Sequence, residues 1–300
     1  MMRTVFMGTP DIAVPALKLL AERTQVTCVV TQPDRPAGRG NQLTPPPVKL
    51  AAQMLGLPVW QPETLKGQSA DPRLECDLAV VMAYGELLRQ DVLDKPAHGC
   101  INLHASLLPR WRGASPLQAA IRCGDERTGV TVMKMVRALD AGAMYLADEV
   151  AIGPRATLPE LHDALAESAA RALARFLDGF PNLTAVEQDP AEVTTCHKLT
   201  SEHGKLDPLH TAQELDRWIR AYTPAPGCWL PLGADRLKVL AAQPGEPVLE
   251  PGEVLVADGR AWLGCAGGSL ELLKLQAPGK KALATSEFLR GYTLPSSLGV

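Results

Sequence analysis

The stretch Arg3-Thr-Val-Phe-Met7, followed by Gly8-Thr9-Pro10-Asp11 and a helix-like segment over residues 12–20, sets the pattern for the first half of the chain. Short apolar runs recur at residues 26–31, 59–60, 78–83, 100–104 and 130–135, with helix-like segments at 48–55 and 116–123. Apolar strands that alternate with helices are typical of a parallel sheet covered on both faces. We therefore expect an α/β domain with a Rossmann-like, doubly wound, mostly parallel sheet, in which ligands bind at the carboxyl ends of the strands.

The second half of the chain has a different pattern of apolar and polar residues. Thr157 and Glu160 form a capping box that opens a helix, whose apolar residues repeat at helical spacing as far as Gly179. Residues 186–206 lack periodicity, which indicates a linker, and Thr211 with Glu214 then opens another helix. Short runs broken by Gly, Pro and Asp over residues 227–275 predict a small antiparallel β-barrel. The expected domains are residues 1–185 and 207–300, joined by that linker.

Composition excludes several classes of protein. With 33 acidic and 30 basic side chains among 300 residues, the net charge of −3 excludes a globally basic nucleic-acid binder, although a local basic site is still allowed. No apolar run approaches the roughly 18–20 residues that a membrane span needs. The seven cysteines are scattered without a C-x-x-C pair, which is typical of reduced thiols, so we expect a cytoplasmic protein.

The clearest chemical signal is the pair Asn102 and His104. They lie two residues apart on an apolar run, so both side chains point to one face of a strand at its carboxyl end. An amide and an imidazole that converge there can hold a carbonyl group and stabilise an oxyanion. Asp140 follows the run at residues 130–135, which predicts that it also lies at a carboxyl end, where a carboxylate would orient His104 and favour its charged form.

Basic residues cluster in two places in spite of the acidic balance. Residues 99–124 contain Arg110, Arg112 and Arg122 and no acid. The segment 32–47 is long for a strand-to-helix connection and contains Arg35 and Arg39, so it is either a recognition loop for phosphate or polar substrate or a mobile solvated loop.

Other motifs give weaker signals. The chain lacks G-x-G-x-x-G and G-x-x-x-x-G-K-[ST], which disfavours dinucleotide and P-loop sites. The group Cys196, His197, His203 and His210 fits no recognised zinc spacing, and no metal is expected.

Several of these motifs together resemble the methionyl-tRNA formyltransferases, within the wider family of 10-formyltetrahydrofolate-dependent formyltransferases. The matching stretches, spread over nearly the whole chain, are Gly8-Thr9-Pro10, residues 31–40, Ala83-Tyr84-Gly85, residues 102–113 and Leu139-Asp140-x-Gly142. The resemblance implies transfer of a formyl group from 10-formyltetrahydrofolate to the α-amine of initiator methionyl-tRNA. It also implies an OB-like C-terminal barrel that contacts the tRNA. We expect no metal, and a monomer rather than an oligomer.

The resemblance also assigns residues. Asn102, His104 and Asp140 are the implied catalytic trio. The implied folate-binding residues are Ala83, Tyr84, Gly85, Leu87, Ser106, Leu107, Leu108 and Pro109. The implied tRNA-binding residues are Arg35, Arg39, Arg110, Arg112, Lys198, Lys280 and Lys281. The last two follow Pro278-Gly279, and the alternative interpretation of this segment is a solvated turn without a role in binding. The chain departs from the usual family pattern at Ala105, Ala138, Ala143 and Cys196-His197, and no departure removes a catalytic residue.

Three alternatives stay open at this point. A formyltransferase acting on a sugar nucleotide or another small amine would keep the trio but would not need the basic loop around Arg39. A catalytically silent RNA- or folate-binding protein would not need the intact trio. A structural or nucleotide-cofactor module is disfavoured because no dinucleotide fingerprint is present.

Overall fold

The computed structural model describes residues 1–37 and 42–299, so Arg39 lies outside the described residues. The chain divides into two compact units that are each discontinuous in sequence. The first unit comprises Met1–Pro116, Arg127–Ala151 and His162–Cys196, and the second comprises Leu117–Glu126, Ile152–Leu161 and His197–Val300.

The strands and helices before residue 126 follow the predicted alternation closely. In chain order they are β1 (Arg3–Gly8), α1 (Val14–Arg23), β2 (Gln25–Val30), β3 (Arg35–Ala37), β4 (Gln42–Thr44), α2 (Pro47–Met54), β5 (Val59–Trp60), β6 (Leu78–Met82), α3 (Gln90–Leu93), β7 (Cys100–His104), β8 (Arg112–Gly113) and α4 (Pro116–Cys123).

The remaining elements complete the first sheet and form a second one. They are β9 (Arg127–Lys134), β10 (Met144–Ala151), α5 (Leu158–Gly179), β11 (Thr195–Cys196), α6 (Ala212–Tyr222), β12 (Cys228–Leu232), β13 (Asp235–Gly245), β14 (Val254–Ala257), β15 (Arg260–Cys265), β16 (Gly268–Gln276), β17 (Leu283–Ala284) and α7 (Thr285–Phe288).

The first unit contains a seven-stranded sheet in the order β10-β9-β7-β6-β1-β2-β5. The five strands from β7 to β5 are parallel, and their residues are almost all buried because helices and loops cover both faces. This arrangement confirms the expected Rossmann-like, mostly parallel sheet. Burying one large apolar side chain of this core, such as Phe6 or Leu17, stabilises the fold by about 1.5–3 kcal/mol.

Strands β9 and β10 differ from the sequence prediction. β9 is antiparallel to β7, with Ile101 opposite Lys134 and His104 opposite Thr131. The end of β9 therefore lies beside the start of β7, and the expectation that Asp140 follows a strand at the same carboxyl edge was wrong. An apolar run predicts a buried strand but contains no information about its direction. Strand β10, whose burial alternates as in an edge strand, was not predicted.

Helix α5 follows its predicted pattern. Glu160 accepts a hydrogen bond from the Thr157 backbone N–H at 2.9 Å, and the helix ends at Gly179. The predicted apolar face is buried, including Leu165, Ala169 and Phe176.

The second unit contains an antiparallel sheet in the order β12-β13-β16-β15-β14, with β17 paired to β16. Helix α6 begins at the predicted capping box, in which Thr211 accepts from the Glu214 N–H and Glu214 accepts from the Thr211 N–H. These elements confirm a separate C-terminal domain built on an antiparallel sheet.

Candidate active site

His104 is the last residue of β7, and its imidazole is 6% exposed. Its Nε2 lies 2.9 Å from the carbonyl oxygen of Trp111, and its Nδ1 lies 3.6 Å from Oδ2 of Asp140. A carbonyl oxygen can only accept a hydrogen bond, so Nε2 is protonated when it makes this contact. The ring therefore lies between the Trp111 carbonyl on one side and the Asp140 carboxylate on the other.

Asp140 reaches His104 from the connection between β9 and β10. Its backbone has φ of 49°, in the left-handed region that few residues other than glycine adopt. Its carboxylate is 10% exposed, and Oδ2 accepts a hydrogen bond of 2.8 Å from the Gly113 N–H. The loop thus places a buried negative charge beside the imidazole, although β9 runs away from this edge of the sheet.

Asn102 lies on the same face of β7 as His104, because side chains two residues apart on a strand point the same way. Its side chain is partly exposed, unlike the buried imidazole. Within residues 1–37 and 42–299, no group forms a hydrogen bond with its amide. Asn102 can therefore present its N–H groups to a substrate without breaking a contact.

A short segment, Trp111–Gly113, links these residues, and we call it the strap. The Trp111 N–H donates to Oγ1 of Thr194 at 2.9 Å, and Trp111 has φ of 62°. Arg112 and Gly113 pair in parallel with β11. The strap therefore provides both the carbonyl that binds His104 and the N–H that binds Asp140.

Cys196 lies under the strap, with its Sγ 3.5 Å from the carbonyl oxygens of Trp111 and Arg112. Burial raises the pKa of this thiol, and the negative charge of Asp140 raises it further. The Asp140 carboxylate therefore disfavours a thiolate at Cys196.

Three further residues belong to this site, namely Gln188, Thr194 and Cys196, of which the sequence singled out only Cys196 and gave it no place here. They lie in residues 186–206, which were interpreted as a linker. Part of that segment is folded against the first unit, through β11 and through the Gln188 side chain. The β-branched run that precedes Cys196 was a signal for a short strand, but nothing in the sequence marks Gln188.

The residues that the resemblance assigns to folate binding differ in how far they are exposed. Ala83, Gly85 and Leu87 are exposed directly after β6, where Ala83 has φ of 49°. Leu107 is half-buried, and Leu108 and Pro109 are buried on the connection after β7. The side chains of Tyr84 and Ser106 are buried: Tyr84 packs in the apolar core, and the Ser106 hydroxyl donates to the Arg110 carbonyl.

The described residues assigned to tRNA binding are mostly exposed. In the first unit, Arg35 pairs with Glu63, the Arg110 guanidinium lies over the Trp111 ring, and Arg112 donates through Nε to Gln188. In the second unit, Lys198, Lys280 and Lys281 are exposed, and the latter two lie in the turn after β16. The segment that surrounds Arg39 forms a two-stranded ribbon, β3 with β4, at its described ends.

Neither a metal centre nor a membrane span was found in the part of the chain that the structure describes. No group of three or more His, Cys, Asp and Glu side chains there could hold a metal ion. No described helix combines the length and apolarity needed to cross a bilayer.

Sequence comparisons cover almost the whole chain. A family model described as formyl transferase matches residues 2–177, and one described as the formyl transferase C-terminal domain matches residues 198–293. The methionyl-tRNA formyltransferase of Paramagnetospirillum magneticum is 47% identical over 305 residues, covering 98% of each chain. That of Thiobacillus denitrificans is 46% identical over 301 residues, covering 98% of this chain and 97% of the relative.

Solved structures share the fold at low identity. An N-formyltransferase from Helicobacter canadensis, in complex with folinic acid and dTDP-3-aminofucose, has a TM-score of 0.68 at 15% identity and covers 91% of this chain and 99% of that one. HypX from Aquifex aeolicus, in complex with tetrahydrofolic acid, has a TM-score of 0.64 at 17% identity, covering 96% of this chain and 47% of that one. From the matches of both family models and the full-length relatives, the chain belongs to the formyl transferase family.

Proposed function

We propose that the chain transfers the formyl group of 10-formyltetrahydrofolate to the α-amine of methionyl-initiator-tRNA, giving formylmethionyl-tRNA for translation initiation. The observation that carries this proposal is the full-length similarity, at 47% identity, to a relative named methionyl-tRNA formyltransferase. The arrangement of Asn102, His104 and Asp140 supports the chemistry, because it combines a free amide donor with a buried imidazole that lies beside a carboxylate.

The proposed reaction begins with attack of the neutral α-amine on the formyl carbon. A carbon–nitrogen bond forms and a tetrahedral oxyanion develops, which Asn102 stabilises by donating a hydrogen bond. The bond between the formyl carbon and N10 of the folate then breaks. The proton lost by the amine is transferred to N10, with Asp140 assisting through water.

His104 acts mainly through its charge in this mechanism. Its Nε2–H is bound to the Trp111 carbonyl, so a direct hydrogen bond to the oxyanion requires that contact to lengthen or to be shared. The buried position of the ring strengthens its electrostatic effect, since water screens it poorly.

We further propose how the substrates bind. The exposed Ala83, Gly85 and Leu87 and the connection 107–109 contact the folate, largely through the backbone. Arg35, Arg39, Arg110 and Arg112 in residues 1–185, and Lys198, Lys280 and Lys281 farther along the chain, contact tRNA phosphates. Such contacts make tRNA binding salt-sensitive. The protein acts as a cytoplasmic monomer with no metal.

A direct assay tests the activity. The protein is mixed with 10-formyltetrahydrofolate and either charged initiator or charged elongator methionine tRNA, and formylmethionine is measured. Formylation of the initiator in preference to the elongator is expected. Formylation of a sugar-nucleotide amine without formylmethionine would favour the small-amine alternative, and folate binding without any turnover would favour a silent binding protein.

Two variants test the roles of the trio. Asn102→Ala or His104→Ala is expected to lower kcat by about 10²–10³, because each removes one stabiliser of the oxyanion. Binding of the folate donor, measured by equilibrium dialysis, is expected to persist. Turnover close to that of the unmodified protein in either variant would contradict the assigned role.

A further inference from the structure

Gln188 makes three hydrogen bonds in the active site although it is distant in sequence from every residue of the trio. Its Nε2 donates to the carbonyl oxygens of Asp140 and Gly142, each at 2.8 Å. Its Oε1 accepts from Nε of Arg112 at 2.9 Å. The side chain is nine-tenths buried, with 7% of the residue exposed.

The orientation of this amide follows from its partners. Arg112 can only donate and the two loop carbonyls can only accept, so Oε1 faces the strap and Nε2 faces the loop. Both N–H groups of the amide and its oxygen are therefore satisfied, which is the arrangement that fixes a buried polar side chain most firmly. A glutamine side chain supplies the two donors and the acceptor that these three partners require, and it is long enough to contact all of them.

The two carbonyls that Gln188 binds belong to the connection between β9 and β10, in the part where the backbone is most constrained. Asp140 has φ of 49°, and a Cβ on Gly142 would lie 1.8 Å from the Lys134 carbonyl oxygen, so the backbone has little freedom here. By bridging residues 140 and 142, Gln188 holds the backbone that aims the Asp140 carboxylate at Gly113 and His104. Through Arg112 it ties that backbone to the strap, which binds the other side of His104.

We propose that Gln188 is a positioning residue for formyl transfer, which acts by fixing the Asp140 backbone against the strap. This inference rests on the function proposed above. It predicts that Gln188 affects the chemical step through Asp140 and contributes nothing to the binding of 10-formyltetrahydrofolate.

Gln188→Glu tests the proposal with little change of shape. The variant keeps an acceptor for Arg112 but replaces the two donors with an oxygen that repels the loop carbonyls. We expect kcat to fall by about 10- to 100-fold, since small displacements of a catalytic group have effects of this size. KM for 10-formyltetrahydrofolate is expected to stay within about twofold. Gln188→Met, which removes all three hydrogen bonds without adding charge, should behave similarly if Gln188→Glu fails to fold.

The control is Gln53→Glu, which makes the same change of charge at an exposed position of α2 and should leave kcat unchanged. The double variant Asp140→Asn/Gln188→Glu shows the route of the effect. If Gln188 acts through Asp140, kcat of the double variant is expected to be less than about threefold below kcat of Asp140→Asn alone. Multiplicative losses, a raised KM for 10-formyltetrahydrofolate with unchanged kcat, or an unaltered kcat in Gln188→Glu would each overturn the proposal.

A measurement without turnover separates this inference from the proposed function. The imidazole NMR signals of His104, assigned with His104→Gln, are expected to shift in Gln188→Glu because the adjacent carboxylate moves. If the unmodified protein fails to formylate methionyl-tRNA while these signals shift, the function is wrong and the positioning role stands. Unchanged signals would overturn the positioning role whatever the activity.

Discussion

At the scale of single residues, the candidate active site has a carboxylate beside the His104 ring. Asp140 is the carboxylate within ion-pair distance of the His104 ring, and its Oδ2 also binds the Gly113 N–H. The two contacts have different chemistry, because the backbone N–H needs only an acceptor, whereas the effect of Asp140 on the His104 ring depends on the charge of the carboxylate. They can therefore be separated by substitution.

Asp140→Asn is expected to keep the hydrogen bond from Gly113 through its amide oxygen and to lose the charge beside His104. We expect kcat to fall by about 10²–10⁴, the range typical of general acid–base assistance, with a thermal midpoint close to the unmodified value. Steady-state kinetics and thermal unfolding measure both quantities. Asp163→Asn, at an exposed position of α5, serves as the control. Unreduced kcat in Asp140→Asn would show that the charge is unimportant.

The sequence predicts the positions of some of these site residues and not of others. The period of two along a strand is sufficient to place Asn102 and His104 together. The proximity of Asp140 was anticipated through an incorrect strand direction, and only the loop's folding back brings it to His104. Gln188 could not be found, because its partners lie 46 to 76 residues away in the chain and no local pattern encodes them.

At the scale of elements, the pairing of β8 with β11 requires a glycine. Gly113 has φ of 120°, and a Cβ there would lie 2.0 Å from the Cys196 carbonyl oxygen. A glycine is therefore needed both for the backbone conformation and for the close approach of the two chains.

Gly113→Ala is expected to push β11 away from the strap, since backbone atoms cannot yield as a side-chain tip can. We expect a loss of about 1–3 kcal/mol in unfolding free energy and a lower kcat, because the Gly113 N–H moves away from Asp140. Urea unfolding and formylation kinetics measure the two effects. Gly153→Ala is the matched control, since no atom lies within 4 Å of the added Cβ. Equal stability of the two variants would contradict the close packing.

Helix α6 of the second unit contains a buried ion network. Asp216, with a side chain 6% exposed, accepts from Arg155 at 2.7 Å and from Arg220 at 3.0 Å, and Arg220 is itself 11% exposed. These residues also line a cavity of about 390 Å³ that contains no member of the catalytic trio.

Asp216→Ala is expected to destabilise the chain by about 3 kcal/mol or more, because it leaves the Arg220 guanidinium buried without a counter-charge. Chemical denaturation measures the loss, and the exposed Glu167→Ala on α5 is the control. A loss below 1 kcal/mol would mean that water replaces the carboxylate at Arg220.

The positions of most helices and strands could be predicted from the sequence, whereas the directions in which strands pair could not. Periodicity and capping residues located α5 and α6 because these signals are local. The antiparallel course of β9 and the pairing of β11 arise from tertiary packing, which no residue in those strands specifies.

At the scale of the whole molecule, all seven cysteines are free, and five of them are fully buried. Burial raises the pKa of the Cys28 and Cys76 thiols to about 11 and that of Cys100, Cys228 and Cys265 to about 12. The reactive thiolate is therefore scarce at these positions near neutral pH. Cys123 is exposed.

With a thiol reagent at pH 8, we expect the folded protein to show one rapid reaction, at Cys123, and the unfolded protein to show seven. Cys123→Ser should remove the rapid phase, and rapid reaction of several thiols in that variant would contradict the burial. The raised pKa values also predict that stability is full below the unfolded thiol pKa of about 8.5 and falls as pH rises towards 12. Denaturation at several alkaline pH values measures this decline.

The contacts of the strap with Gln188, Thr194 and Cys196 also determine where the catalytic half of the protein could be cut out as a fragment. A fragment ending at residue 185 would contain Asn102, His104 and Asp140 but would lack Gln188, Thr194 and Cys196, which all contact the strap. One ending after Cys196 would keep them, in agreement with the extent of the first unit. Expression of the shorter fragment is thus expected to yield a protein that has the catalytic residues without their geometry.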